Sequence, residues 1–502
     1  MEEDKTKNII VLKIKFSFMD WQHLGLKVGL EIHWGLNTEK KLFCSCPNTL
    51  VNRQADKLIE RYLRPAVGEL GGIDEAAKAE ALKGKKAVYE FFDDANCLVE
   101  IDEEPPHSPN KYAIESSFLI SEMLNAKIVD EIHVMRKTII DGSNVSGFQR
   151  TMLVAMDGFV KTSFGNVGIS SICLEEDSAR IIDSKKNIFR LDRLGMPEVE
   201  ITTTPDIHTP EQALEAAEKI GMILLSSGKV KTGLGVVRQD VNVSIKDGAR
   251  TEIKHVQRLN WIPLVIEKEV ERQLQLIKKG EKIENSVRVA KEDGSTVFLR
   301  PIAGAARMYP ETDVAPILVD KQLVNKIKKS LPETIEIKLA KLKKTLPVDV
   351  AEQLSKSENL FLFEKIVSEV KIEPTIVATT LLYTLKDLKR KGIDVDAITD
   401  KQFIDLFRMI KDDKIAKEAI PQILEKLKEQ KVEDVVKELN LLKLSRKELE
   451  KIVDDLIKEN KDKLDKNAYG LIMGLTMRQA RGRIDGKIVD EVVKDKIKRF
   501  AK

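Results

Sequence analysis

VGLEIHWGL, residues 28–36, is a short apolar run into which a carboxylate and an imidazole are set two positions apart. Side chains alternate across a strand, so Leu30, Ile32 and Trp34 share one face while Glu31 and His33 share the other. An unpartnered carboxylate held away from water is costly, so such a pair requires a metal, a hydrogen-bond network or a charged substrate. The stretch therefore predicts a strand whose polar face lines a site.

The same alternation recurs around it. From about Asp20 to Asp320, the segments Lys127–Val134, Gly168–Leu174, Glu198–Thr203, Val236–Ile245 and Thr251–His255 have the composition of strands. Asp-Gly, Asn-Val-Ser-Gly and Lys-Asp-Gly turns break them up. Pro210–Leu225 and Trp261–Ile277 carry apolar residues at three- and four-residue spacing, which predicts helices. Residues 19–320 thus have the character of an α+β domain with a largely antiparallel sheet. Past Lys321, glycine and aromatic residues thin out and Leu, Ile, Val, Lys and Glu recur at helical spacing. Pro332, Pro347, Pro374 and Pro421 mark helix starts, dividing an all-α module over 321–438 into short helices. A last unit, 439–502, contains YGLIMGLTMRQARGRIDGKIVDEVV, in which Gly482 and Gly486 flank a turn between two helices. Residues 1–18 form a charged extension ahead of a second methionine, Met19.

A chain of 502 residues exceeds one ordinary core. Its 42% hydrophobic and 33% charged residues describe a folded protein with a heavily charged surface. The 84 basic residues nearly balance the 81 acidic ones, so contact with a nucleic acid requires a local patch and not a bulk field. Four cysteines do not make a disulfide framework, and no apolar run approaches a membrane span, so a cytoplasmic location is expected.

Further carboxylates gather in the strand-rich part: Glu175, Glu176 and Asp177 in ICLEEDSAR, Glu198 and Glu200 in GMPEVEITTTPDI, and Glu252 in RTEIKHVQR. Where they alternate with apolar residues, as in Glu198-Val199-Glu200, each set can face one cavity, although a solvated sheet face has the same pattern. Oxygen-rich sets with one imidazole suit Mg²⁺ or Mn²⁺ better than zinc. The glycine-rich IDGSNVSGFQRT, 140–151, reads as a loop that places Arg136, Lys137, Gln149 and Arg150 around flexible backbone, where they can meet phosphate or a substrate carboxylate. Cys44-Ser45-Cys46 looks like half a zinc site, but no second pair follows at finger spacing. Cys97 and Cys173 stand isolated, so ordinary thiols are expected. No phosphate-binding glycine loop, dinucleotide fingerprint or hydrolase nucleophile motif is present.

The ordered segments GLEIHWGLNTEKKLFCSCPN, CLVEIDEEPP, RKTIIDGSNVSGFQRT, CLEEDSARII, GMPEVEITTTPDI, QDVNVSI with RTEIKHVQRLNW, and ARMYPETD together resemble the E-type subunits of archaeal glutamyl-tRNA(Gln) amidotransferases. Those proteins are related to the B-type subunits of the bacterial and organellar enzymes, and MGLTMRQARGRIDGKIVDEVV resembles the tail the two types share. The resemblance implies a cradle-shaped catalytic domain, a helical domain and a small tRNA-binding tail domain. It also implies ATP- and Mg²⁺-dependent phosphorylation of the γ-carboxylate of glutamate mischarged on tRNA(Gln), followed by displacement of phosphate by ammonia. The ammonia would come from an asparaginase-like D-type partner, in a hetero-oligomer with two of each subunit and no membrane partner. Carried over residue by residue, Glu31, His33, Glu175, Glu176, Glu200 and Glu252 are the metal positions, and Glu31, His33 and Glu176 the catalytic ones. Arg150 and Lys254 are expected to bind phosphate or carboxylate, and the basic cluster Arg478, Arg481 and Arg483 to contact tRNA. One departure stands out. The insert resembling part of bacterial aspartyl-tRNA synthetase is missing, because Ile277 runs through KKGEKIENSVRVAKEDGSTVFLRP into ARMYPETD without room for it. A B-type enzyme acting on Asp- and Glu-tRNA, and a tRNA-binding scaffold without catalysis, are the alternative readings.

Overall fold

The computed structural model describes residues 19–62, 84, 86–233, 235–302, 308–355, 357, 359–395, 397–427, 430–461 and 468–500. The extension at 1–18 lies outside the described residues. The chain divides into two compact units, Met1–Glu333 and Thr334–Lys502.

The first unit is α+β. Its strands are β1 (Lys27–Gly35), β2 (Lys57–Arg61), β3 (Ala87–Phe91), β4 (Lys127–Ile128), β5 (Glu131–Ile132), β6 (Val134–Thr138), β7 (Phe148–Thr162), β8 (Gly165–Glu176), β9 (Arg180–Asp183), β10 (Ile188–Arg190), β11 (Pro197–Thr203), β12 (Val237–Ser244), β13 (Thr251–Lys254), β14 (Ser286–Ala290), β15 (Thr296–Pro301), β16 (Met308–Pro310) and β17 (Ile317–Leu318). Its main helices are α1 (Lys111–Met123), α2 (Pro210–Ser226), α3 (Trp261–Lys278) and α4 (Lys321–Lys329).

An eleven-stranded sheet runs β15-β14-β13-β12-β1-β11-β8-β7-β6-β16, with β4 alongside β7. Its pairs are antiparallel except β13 with β14. A four-stranded sheet, β2-β3-β10-β9, and the short pair β17-β5 complete the unit.

β1 lies inside the large sheet, and its two faces have different fates. Leu30, Ile32 and Trp34 are buried in one continuous core with residues of α1, α2 and α3, including Ile120, Ile220 and Ile266. Gly221 of α2 leaves room for the indole of Trp34: a Cβ there would sit 3.7 Å from the ring. The helices therefore cover one face of the sheet, the two-layer solution for a surface with one apolar side. The other face carries Glu31 and His33. α2 starts as its sequence predicts, with Thr209 capping the amide of Gln212 and Pro210 in the first turn.

Two segments depart from the sequence expectation. Lys127–Val134 is not one strand but β4, β5 and the first residue of β6, because it changes partner from β7 to β17 within a few residues. The glycine-rich 140–151 is a loop only as far as Gly147; Phe148 opens β7, the longest strand, so Gln149 and Arg150 sit in the sheet. Within β7, Gly158 lies against α1's exit, where a Cβ would come within 2.7 Å of the Leu124 carbonyl oxygen.

The second unit is all helical. Pro374 opens the helix Pro374–Thr379, Pro421 is the second residue of Ile420–Lys426, and Pro347 directly precedes Val348–Ser355. Two apolar cores lie within it. One contains Leu342, Phe363, Phe407 and Val435, and the other Leu449, Val453, Ile472 and Val493. The second core belongs to the helices Arg446–Glu459, Ala468–Ala480 and Gly486–Phe500, the first of them closed by a Ser445/Glu448 capping box. Gly482, with φ of +78°, makes the turn between the last two. α4 belongs to the first unit, since Ile327 is buried in the sheet's core, so the change to helical sequence precedes the unit boundary. Among the described residues no helix is long and apolar enough to cross a membrane.

Candidate active site

Antiparallel register gathers the site. Glu31 lies opposite Thr202 of β11 and Asp240 of β12, and His33 opposite Glu200 and Arg238. One strand further out, Glu198 faces Glu175 of β8 and Glu200 faces Cys173; on the other side Asn242 faces Glu252 of β13. Directly opposed residues share a face, so five strands supply one polar floor.

His33 is its centre. Nδ1 lies 4.0 Å from Glu175 Oε2, 3.8 Å from Glu198 Oε1 and 3.9 Å from Glu200 Oε2. These are beyond hydrogen-bonding reach, and among the described residues this buried nitrogen has no hydrogen-bond partner. Burial pushes the imidazole down to about 4 in spite of Glu175 and Asp240, so at neutral pH it is uncharged. A neutral imidazole aimed at three carboxylates is the arrangement of a metal ligand, not of an ion pair. Two overlapping sets of ligand atoms lie within 4.8 Å of one another: Glu31, His33 and Asp240, and His33, Glu175 and Glu198.

The carboxylates repel one another. Burial, then Glu252 and Glu200, push Glu31 up to about 7, with Lys254 opposing them. Burial also raises Glu198 well above the usual range against the pull of Arg238. Three cations hold the floor together, each bonded to two acids. Lys137 Nζ donates to Glu175 at 2.7 Å and to Glu200 at 3.4 Å. Lys254 Nζ lies 2.6 Å from Asp240 and 2.8 Å from Glu252. Arg238 bonds Asp177 at 2.6 Å and also Glu198. Oxygen ligands, one imidazole and neighbouring cations together suit a hard divalent ion carrying a phosphate.

Residues 26–325 match the family described as the GatB/GatE catalytic domain, and residues 361–497 match the GatB domain. The chain is 37% identical to the E-type subunit of the glutamyl-tRNA(Gln) amidotransferase of Methanocaldococcus jannaschii and 38% identical to that of Thermococcus gammatolerans. Each alignment takes in 96% of this chain and 99% of the relative. The chain belongs to the family of glutamyl-tRNA(Gln) amidotransferase E-type subunits. Membership makes it an amidotransferase component acting in tRNA-dependent transamidation, within a hetero-oligomeric enzyme whose substrate is a tRNA. The alignments extend over 627 positions against the 502 residues of this chain, so these E-type relatives carry a segment that it lacks. In this chain α3 passes by a short loop into the β14–β15 hairpin.

Of the residues expected from sequence, Glu31, His33, Glu175, Glu200, Glu252 and Lys254 share the polar floor. Glu176 and Arg150 do not. Successive residues of a strand point to opposite faces, so Glu176 leaves the side that Glu175 occupies. Its Oε2 accepts from the Arg150 amide at 3.1 Å, and both its oxygens lie 3.4 Å from Arg150 Nη1. Arg150 is 4% exposed and its Nε donates to Glu311 at 2.8 Å, while its guanidinium stacks over Phe43 and Phe148. It is an internal counter-ion, not an arm for phosphate. Arg478 and Arg481 are exposed, whereas Arg483 is half-buried and its Nε donates to the Leu442 carbonyl at 3.1 Å.

Sequence reading placed Lys137 only beside the glycine-rich loop, and it missed Arg238, Asp240 and Asn242. The last donates to Glu31 Oε1 at 3.0 Å. The signal was present in Arg238, Asp240 and Asn242, which alternate along VRQDVNVS. Nor is Cys97 isolated: the fold sets it beside Cys44, Cys46 and Glu100.

Proposed function

We propose that this chain activates the γ-carboxylate of glutamate esterified to tRNA(Gln) by phosphorylation with ATP, and then replaces the phosphate with ammonia. In the first step a carboxylate oxygen attacks the terminal phosphorus of ATP and the bond to ADP breaks. In the second, ammonia attacks the acyl carbon and inorganic phosphate leaves, giving the amide. The observation that carries the reading is the unpartnered Nδ1 of His33, facing three carboxylates on an open polar floor.

Mg²⁺ or Mn²⁺, held by Glu31, His33 and Asp240 or by His33, Glu175 and Glu198, would neutralise the charge of the polyphosphate. The chain's own groups then have definite tasks. Asn242 fixes the Glu31 carboxylate through its amide. Lys137, Arg238 and Lys254, each bridging two acids, can turn from a carboxylate toward phosphate oxygens as charge builds there. Arg150 and Glu176 keep β7 and β8 in register behind the floor and act as positioning residues. Ammonia would be released by an asparaginase-like D-type partner, in an assembly with two copies of each subunit. Arg478 and Arg481 supply the tail's contact with tRNA phosphates.

The decisive assay follows ATP-dependent formation of Gln-tRNA(Gln) from Glu-tRNA(Gln), with ammonium chloride in place of the ammonia-releasing partner. His33→Ala and Glu31→Gln should each lower the rate by about a thousandfold or more, as expected when metal ligands to the reacting phosphate are lost. The asparaginase-like activity of an added D-type partner should survive. Amidation at the normal rate in either variant would refute the assignment.

A further inference from the structure

The open face of the sheet continues past the carboxylates and changes character. Cys173 lies opposite Glu200 on one side and opposite Leu153 of β7 on the other. Thr151, two residues before Leu153, lies opposite both Glu175 and Met135 of β6. Met308 of β16 lies opposite Lys137. Opposed residues share a face, so these side chains extend the floor that carries His33. Here the floor becomes apolar and hollow: Met135, Thr151, Leu153, Cys173 and Met308 line a depression of about 210 Å³. Leu153 is 36% and Met308 46% exposed, so no element of the described fold covers them.

Apolar side chains left open in a hollow beside a charged site provide for an apolar part of the substrate. The volume falls below the roughly 300–1,000 Å³ of clefts that enclose whole drug-sized ligands, so it suits one ring system. Thioether and thiol sulfurs are adaptable neighbours for an aromatic ring. Polar groups narrow the choice. Glu131 and His133 complete the wall, with Glu131 Oε1 3.1 Å from His133 Nε2. A carboxylate accepts hydrogen bonds and donates none, which favours a base with an exocyclic amino group, such as adenine, over one with a carbonyl there.

Two adenines take part in the proposed reaction, that of ATP and that of the tRNA's 3′-terminal adenosine, whose ribose carries the glutamyl ester. Resting on that reading, we infer that the hollow seats the terminal adenine of the acylated tRNA. Charge and direction separate the two candidates. In-line transfer puts the attacking and leaving oxygens on opposite sides of the phosphorus. Arg238 on β12 and Lys254 on β13 lie to one side of β1, where a polyphosphate finds cations; the hollow lies to the other side, across β11 and β8. Among the described residues no lysine or arginine lines it, which fits an uncharged base and ester. At about 4.8 Å per strand, Cys173 and Leu153 are about 10 and about 14 Å from His33. The bonds from adenine through ribose and ester to the γ-carboxyl group span about 10 Å when extended, from ordinary single-bond lengths. A base in the hollow therefore delivers its glutamyl carboxylate to the metal side of the floor, past Lys137.

The test reads occupancy without turnover. In the full chain, Leu153→Cys puts a thiol on the wall of the hollow at an exposed position, and maleimide labelling of that peptide is followed by mass spectrometry. Uncharged tRNA(Gln) at about ten times its dissociation constant should slow the labelling about tenfold. The same tRNA lacking its terminal adenosine should give little protection, and ATP with Mg²⁺ none. In the ammonium chloride assay, Leu153→Asp should raise the KM for Glu-tRNA(Gln) about tenfold and leave the KM for ATP unchanged. Equal protection by intact and trimmed tRNA, or none by either, would overturn the assignment. Protection by ATP together with a raised KM for ATP would overturn it in favour of the nucleotide's own adenine. A wild-type chain that makes no Gln-tRNA(Gln) would refute the phosphorylation reading, while the labelling result would still decide what the hollow holds.

Discussion

Glu175 and Glu176 are neighbours in sequence and belong to two different regions of the molecule. Glu175 joins the open face of the sheet, beside His33 and Lys137; Glu176 joins the closed side, where Arg150 and Glu311 surround it. Both are almost fully buried, at 1% and 7% exposure, so burial does not separate them. What separates them is the company the pleat gives each one. On the closed side every charge is answered within the protein. On the open face, among the described residues, the imidazole nitrogen has no partner and carboxylates outnumber cations, so a cation from outside would complete the proposed site. A buried charge cluster that is internally satisfied is scaffold, and one that is left short of a cation is a site.

The largest expected effect breaks the closed side. Arg150→Ala leaves Glu176 buried without its guanidinium, which should cost about 3–5 kcal/mol in urea unfolding. Lys254→Ala on the open face should cost less, about 1–3 kcal/mol, because Glu252 is partly exposed and buried Asp240 keeps the His255 amide as a donor. Equal losses in the two variants would erase the distinction.

A smaller effect sharpens the open face. Burial and neighbouring acids push Glu31 up to about 7, while His33, pushed down to about 4 by burial, stays neutral, so at the proposed site ionisation of Glu31 would govern cation binding near neutrality. Below pH 7 the cation must displace a proton from Glu31; above it the carboxylate is already ionised. Mn²⁺ affinity, measured by electron paramagnetic resonance, should therefore be roughly tenfold weaker at pH 6 than at pH 8 and level off above. The dependence should become shallower in Glu31→Gln, with Glu198, also raised by burial, keeping the remainder. A flat profile in the wild type would remove Glu31 from the ligand set.

The smallest effect lies outside both faces. Reversing charge with Arg478→Glu and Arg481→Glu should weaken tRNA binding several-fold at moderate salt and reduce the salt slope by about two, the number of phosphate contacts removed. Mn²⁺ affinity should not change. Unaltered tRNA affinity in filter binding would free the tail of this role.

The strand VGLEIHWGL was legible because a period of two is a local property, fixed by backbone geometry before any partner is chosen. It placed Glu31 and His33 on one face, Leu30 and Trp34 on the other, and an antiparallel sheet around them. Proline positions and helical spacing likewise gave the all-α character after Lys321. β7 was harder to see, since MLVAM within it is apolar on both faces. The fates of Glu176 and Arg150 were hidden for another reason: which acid meets which base depends on register with strands far away in the chain.

From sequence alone came the family, the class of fold and the imidazole with most of the carboxylates of the polar floor, because composition, alternation and ordered motifs are written locally. Tertiary structure decided which of those residues stand together. It drew Asp240 and Glu198 toward His33, turned Glu176 away, and carried Cys97 and Glu100 to Cys44 and Cys46, across a separation of 54 positions between Cys46 and Glu100. Ligand and counter-ion geometry is set by contacts between distant strands and loops, and no local periodicity encodes those.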